Sequence, residues 1–130
     1  KIATPIEEQD AEIVAFINEK RPASEDKVCL FFDFPDIISK DIFRFDMGQF
    51  AIREYTNAYT FNLFEIEREQ TVEKDLTYGL SRLRQNRVLD FDPEAVFFIT
   101  RNHQDFGSLT LVDSAIVNGI LIYQLDLKNY

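Results

Sequence analysis

Val28-Cys29-Leu30-Phe31-Phe32-Asp33-Phe34, closed by Pro35, is the most apolar run of the chain, and its reading decides the fold. One polar residue in the run and no alternation fit a strand covered on both faces rather than one with a wet side. A strand buried on both faces needs a layer of structure above and below it. The residues around it supply candidates. Thr4-Pro5-Ile6-Glu7 has a capping threonine, a proline at the first helical position and a glutamate placed to reach back to the cap. Ile6, Ile13, Val14 and Ile17 then keep to one face, and Glu7, Glu8, Glu12 and Glu19 to others, until Arg21-Pro22 stops the pattern.

Downstream, segments 42–47 and 50–55 mix apolar and polar residues around Met47-Gly48, which predicts a hairpin. A second long strand is expected over 59–67. Val72, Leu76, Leu80 and Leu83 recur at helical spacing, with Glu73, Lys74, Arg82 and Arg84 on the other faces, so 72–87 is expected to be a helix that Gly79 weakens slightly. Asp92-Pro93 marks a turn and 95–100 a short buried strand. The spacing predicts a helix over 108–118, with Leu109, Val112 and Ile116 inward and Gly119 as its stop, and a last strand over 120–125. The expected fold is α/β (α+β), a mixed β-sheet of five to six strands flanked by three helices, in one domain spanning 1–130. A chain that opens at Lys1 rather than Met leaves open that it is excised from a longer protein.

A chain of 130 residues can bury a core without staples, and the thirteen Phe and five Tyr give it large side chains to bury. With 23 Asp+Glu against 14 Lys+Arg the net charge is −9, which repels phosphate backbones and makes nucleic acid an unfavourable direct ligand. The single cysteine, Cys29, has no disulfide partner and lies within the apolar run, where a thiol acts as a small hydrophobe. A cytoplasmic protein is the expectation. No apolar stretch has the length of a membrane span.

Chemistry needs groups that converge. Asp33, Asp36 and Asp41 follow the first strand and could offer oxygens to a divalent ion, yet aspartates beside proline are also ordinary turn formers. His103, between Asn102 and Gln104, reads as a solvated histidine rather than a base. The four glycines are scattered and form no phosphate loop, and neither Ser108 nor Ser114 lies in a nucleophile elbow. Neither a catalytic set nor a cofactor is expected. Arg82, Arg84 and Arg87, with Arg68 and Arg101, form the one locally basic part of the chain, either the wet face of a helix or a partner-binding patch that docks an acidic partner or a phosphate.

In this layout the chain resembles a degenerate member of the DNA polymerase β-like nucleotidyltransferase superfamily, of the minimal kind found in bacterial toxin–antitoxin pairs. The resemblance runs over nearly the whole chain: the leading helix, 27–32 as first strand, Tyr59-Thr60-Phe61-Asn62-Leu63-Phe64-Glu65-Ile66 as second, and the ending Val117-Asn118-Gly119-Ile120-Leu121-Ile122-Tyr123. The family's Gly-Ser falls at Phe32 and Asp33, its paired acids at Thr60 and Asn62, and its third acid at Phe97 or Phe98. Without those carboxylates two Mg²⁺ ions have no cage, so the resemblance implies a pseudoenzyme. Three functions remain open: a non-catalytic module that binds a protein partner or neighbouring domain; an antitoxin or immunity-type inhibitor whose acidic surface mimics nucleic acid; and a metal-dependent nucleotidyl or phosphoryl transferase using Asp33, Asp36 and Asp41.

Overall fold

A computed structural model gives the fold, and residues 8–24, 26–33, 48–63, 71–85 and 93–127 are those it describes. In chain order these form α1 (Glu8–Lys20), β1 (Val28–Phe32), α2 (Gly48–Thr56), β2 (Ala58–Asn62), α3 (Val72–Gln85), β3 (Ala95–Thr100), β4 (Thr110–Val117) and β5 (Ile120–Asp126). The five strands make one mixed sheet in the order β2-β1-β3-β5-β4. β2, β1 and β3 run parallel, and β5 is antiparallel to both β3 and β4.

The unalternating run 28–32 does lie inside the sheet, buried at every position. Its two faces feed two separate cores. Val28, Leu30 and Phe32, with Phe97, Ile99, Ile120 and Ile122, pack against Ile13, Val14 and Ile17 of α1 and Ile52 of α2. Cys29 and Phe31, with Val96, Phe98, Leu121, Tyr123 and Leu125, pack against Val72, Leu76, Leu80 and Leu83 of α3. The result is a sheet between helical layers, with the aromatic residues at its centre. Phe31, Phe32, Phe97 and Phe98 are all fully buried. On the α3 side the connection between β3 and β4 also serves as cover, since the Phe106 ring stands edge-on to Tyr123 at 4.7 Å and to Phe98 at 6.0 Å.

Two expectations fail, each for a physical reason. Segment 50–55 belongs to α2 rather than to a hairpin strand. Ala51, Ile52 and Thr56 are buried on one side while Arg53 and Glu54 are exposed, a helical spacing. Asn57 ends that helix at φ 53°, a left-handed position that asparagine tolerates. The other half of the expected hairpin, 42–47, lies outside the described residues.

The segment 108–118 holds strand β4, Thr110–Val117, rather than a third helix, and of its expected inward set Leu109, just before the strand, is buried while Val112 and Ile116 are exposed. Asn118 and Gly119, at φ 52° and 85°, form a two-residue turn whose two positive φ values suit the twist of the hairpin β4–β5. The third helix is thus α2. The strand expected over 59–67 is described as Ala58–Asn62, and the cap at Thr4-Pro5 lies outside the described residues. Among the described residues no helix is long and apolar enough to cross a membrane.

Cys29 is fully buried and faces the α3 core. Cys29→Ala is expected to cost about 1–2 kcal/mol through a small cavity, without affecting binding. Thiol-reagent kinetics on the native protein check this: labelling should follow global opening, and fast labelling would contradict it.

Candidate functional site

In open sheets with parallel strands, ligands favour the carboxyl ends of neighbouring strands whose connections depart in opposite directions. Here that place lies between β1 and β3, because β1 leads to β2 on one side and β3 leads toward β4 and β5 on the other. Asp33 sits there, one residue beyond β1, with its N–H donated to the Ile99 carbonyl at 2.9 Å. Its Oδ2 accepts from Thr100 Oγ1 at 3.2 Å and from Gln104 Nε2 at 3.5 Å. Gln104 is itself held by the Asn102 carbonyl at 3.2 Å. Among the described residues two neutral donors, Thr100 and Gln104, tie this half-buried carboxylate across two strand ends. It serves the sheet as a staple, and a single such group is a poor cage for a hard cation, which takes six or more oxygens.

Asp36 and Asp41 lie outside the described residues, as do Asp90 and Asp92. Among the described residues no group of three or more His, Cys, Asp or Glu could hold a metal ion. Thr60 and Asn62 are half-buried on β2, paired in register with Leu30 and Phe32, and Asn62 donates to Gln49 Oε1 of α2 at 2.9 Å. Phe97 and Phe98 fill the two cores. His103 is exposed, with Nδ1 3.4 Å from the Tyr123 hydroxyl.

Arg82 and Arg84 are exposed on α3, to either side of the Leu76-Leu80-Leu83 stripe. The Arg82 guanidinium lies 6.0 Å from the centre of the Tyr78 ring, which is itself 42% exposed. Arg87 and Arg68 lie outside the described residues, and Arg101 is exposed in the connection after β3.

Sequence reasoning missed a third surface by assigning its residues to a buried helical face. Among the described residues β4 ends the sheet, hydrogen-bonded to β5 on one side. Leu111, Val112 and Ile116 are 46%, 55% and 68% exposed on it. By register, Leu111, Ser114 and Ile116 lie on the α3 side of the sheet with Leu125, Tyr123 and Leu121, and Val112 is the extra residue of a bulge. The cover stops at β5: Phe106 and Leu109 join that core while Leu111 and Ile116 stay outside it.

The opposite side of β4 meets α1. Lys20 Nζ is 3.0 Å from Asp113 Oδ2, and Asn118 Nδ2 donates to Gln9 Oε1 at 2.8 Å. The hydrogen bond from Lys20, and then that from the Ser114 N–H, hold the Asp113 carboxyl below its ordinary range. The same contact with Asp113 raises Lys20. Glu8, Glu12 and Glu19 are exposed on α1 at spacings that put them on one stripe. Glu8 and Glu19 adjoin in sequence Gln9, which is bonded to the turn after β4, and Lys20, which is bonded to β4 itself. The Asn-Gly pair and the β-branched Thr110, Val112, Ile116 and Val117 were the signals that could have found this strand.

Comparison of the chain with family models, curated proteins and solved structures finds no match.

Proposed function

We propose that this chain is a non-catalytic module that acts by binding a protein, and that the open edge at β4 is its contact surface. The observation that carries the reading is the exposure of Leu111, Val112 and Ile116 on a strand that ends the sheet. Soluble proteins blunt such edges with lysine, proline, short strands or bulges, because an open edge is a template for another strand, and of these devices β4 carries the bulge at Val112. β4 runs for eight residues without lysine or proline, and its one charge is neutralised by Lys20. Exposed large apolar residues gathered on one edge strand are a mark of protein contact. The partner can be a separate chain or a neighbouring domain.

A second surface has its own supporting observation in the exposed Arg82–Tyr78 pair, since arginine and tyrosine are enriched among residues that dominate binding energy. Nucleotidyltransferase-like ancestry is a separate proposal that rests on the sequence segments at 27–32, 59–66 and 117–123. What supports absence of transfer chemistry is that Thr60, Asn62, Phe97 and Phe98 stand where that ancestry would require acids.

Three chains compared side by side in partner capture from the native host test the reading. Val112→Thr with Ile116→Thr keeps strand propensity and removes the apolar contact, so capture is expected to fall at least tenfold while the melting midpoint moves by only a few degrees. Arg82→Glu with Arg84→Glu is expected to keep both stability and capture. Loss in the arginine variant alone would move the contact to α3. Turnover of a nucleoside triphosphate with Mg²⁺ or Mn²⁺, abolished by Asp33→Asn, would overturn the non-catalytic reading.

A further inference from the structure

We propose that the partner adds to β4 as an extended strand that is apolar on one face and basic on the other. The inference rests on the reading of β4 as the contact surface and specifies what occupies it. A strand laid beside β4 presents alternate side chains to the two sides of the sheet. On the α3 side its residues meet Leu111 and Ile116, which are 46% and 68% exposed, with Ser114 between them. On the other side they approach α1 and its exposed stripe of Glu8, Glu12 and Glu19. Apolar residues suit the first set of positions, and Lys or Arg the second.

Charge also selects against the simplest alternative occupant, a second copy. Pairing β4 with β4 would bring together two chains of net charge −9 and two glutamate stripes. Across adjacent strands, like charges destabilise and opposite charges stabilise. Asp113 does not interfere, because Lys20 holds it at 3.0 Å. The Ser114 N–H already has Asp113 Oδ1 as acceptor at 2.8 Å, so an incoming strand replaces one carboxylate contact as it forms its ladder. Backbone pairing supplies affinity in this mode, and the alternating side chains supply specificity.

The probes are two synthetic peptides of eight residues, one alternating valine with lysine and one alternating valine with glutamate, titrated against the intact chain. Binding is read by affinity and by amide hydrogen exchange along β4. The lysine peptide is expected to bind, to slow exchange within 110–117, and to weaken as salt rises. Glu12→Lys is expected to weaken it about fivefold, and Glu54→Lys, the same charge change on an exposed face of α2, to leave it nearly unchanged. Equal binding of both peptides, with β4 protected, would overturn the basic partner and leave β4 as the contact surface. A dimer in sedimentation that Ile116→Lys abolishes would likewise leave β4 as the contact surface and give it to a second copy. A monomer whose β4 amides neither peptide protects would overturn both the inference and the reading beneath it.

Discussion

Gly79→Val is expected to lower stability by about 3 kcal/mol, and Gly79→Ala to lower it by about 1–2 kcal/mol, although alanine is the better helix former by about 1 kcal/mol. The position lies in the third turn of α3, where helix propensity alone favours alanine or valine over glycine. Packing decides otherwise. A methyl group at Gly79 would overlap the edge of the Phe31 ring at Cε2, and would come within 3.1 Å of Phe61 Cδ2 and 3.2 Å of Phe31 Cζ. Phe31 is fully buried, and its ring is tilted 49° against Phe61 at 6.0 Å. Phe61 in turn meets Tyr78 edge-on at 6.1 Å. The first ring therefore cannot retreat without moving the second, and the second is held by the helix that carries the substitution. Dense interiors transmit such strain instead of absorbing it. Urea titration of the three proteins measures the effect, and a double-mutant cycle with Phe31→Leu should recover at least half of the loss, because it removes the atoms that collide. A Gly79→Ala protein more stable than wild type would show that Phe31 has room, and that the glycine is only a weak point in the helix.

Gly79 also shows where sequence stops being legible. A glycine in a helical pattern announces a cost, but its reason lies in Phe31, 48 positions earlier, which no local pattern reaches. What was legible is what periodicity governs. The unbroken apolar run at 28–32 gave a strand buried on both faces, and the spacing of Val72, Leu76, Leu80 and Leu83 gave the buried stripe of α3. The errors fell where two periods fit the same residues. Leu109, Val112 and Ile116 recur at three and four, a helical spacing, yet Leu109 precedes strand β4 and Val112 falls at its bulge. Asn118-Gly119 would have decided the matter, since a pair of left-handed residues suits a hairpin turn better than a helix end. The surface proposed for binding was hidden by that same error, because a residue assigned to the core is never considered as a contact. Asp33 was legible as a residue at a strand end. Its partners Thr100 and Gln104 were not, because only the parallel pairing of β1 with β3 brings them together.

Arg21→Ala is expected to lower stability by about 2–3 kcal/mol, a large effect for a half-buried residue just past a helix. The sequence marks Arg21-Pro22 as the end of α1, and the structure gives the side chain a further task. Its Nη1 donates to the Thr56 carbonyl at 2.6 Å and to Asn18 Oδ1 at 3.1 Å, and its Nη2 donates to the Asp26 carbonyl at 2.6 Å. One guanidinium thus joins the end of α1, the end of α2 and the approach to β1. The Thr56 carbonyl ends α2, where carbonyls lack a partner within the helix, so a charged donor is the strongest satisfaction available to it. Asn57 also donates to the Asp26 carbonyl, at 3.2 Å, so that acceptor keeps one bond when Arg21 is removed, whereas the Thr56 carbonyl loses its charged donor. Arg21→Lys separates charge from geometry. An ammonium is a point donor and cannot fork across two carbonyls, so lysine is expected to recover less than half of the loss. Hydrogen exchange locates the effect: amides at the ends of α1 and α2 should open faster in both variants, while the β3–β5 pairing keeps its protection relative to global stability. If Arg21→Lys were as stable as wild type, a positive charge near the helix ends would suffice, and the fork would play no part in holding the three elements together.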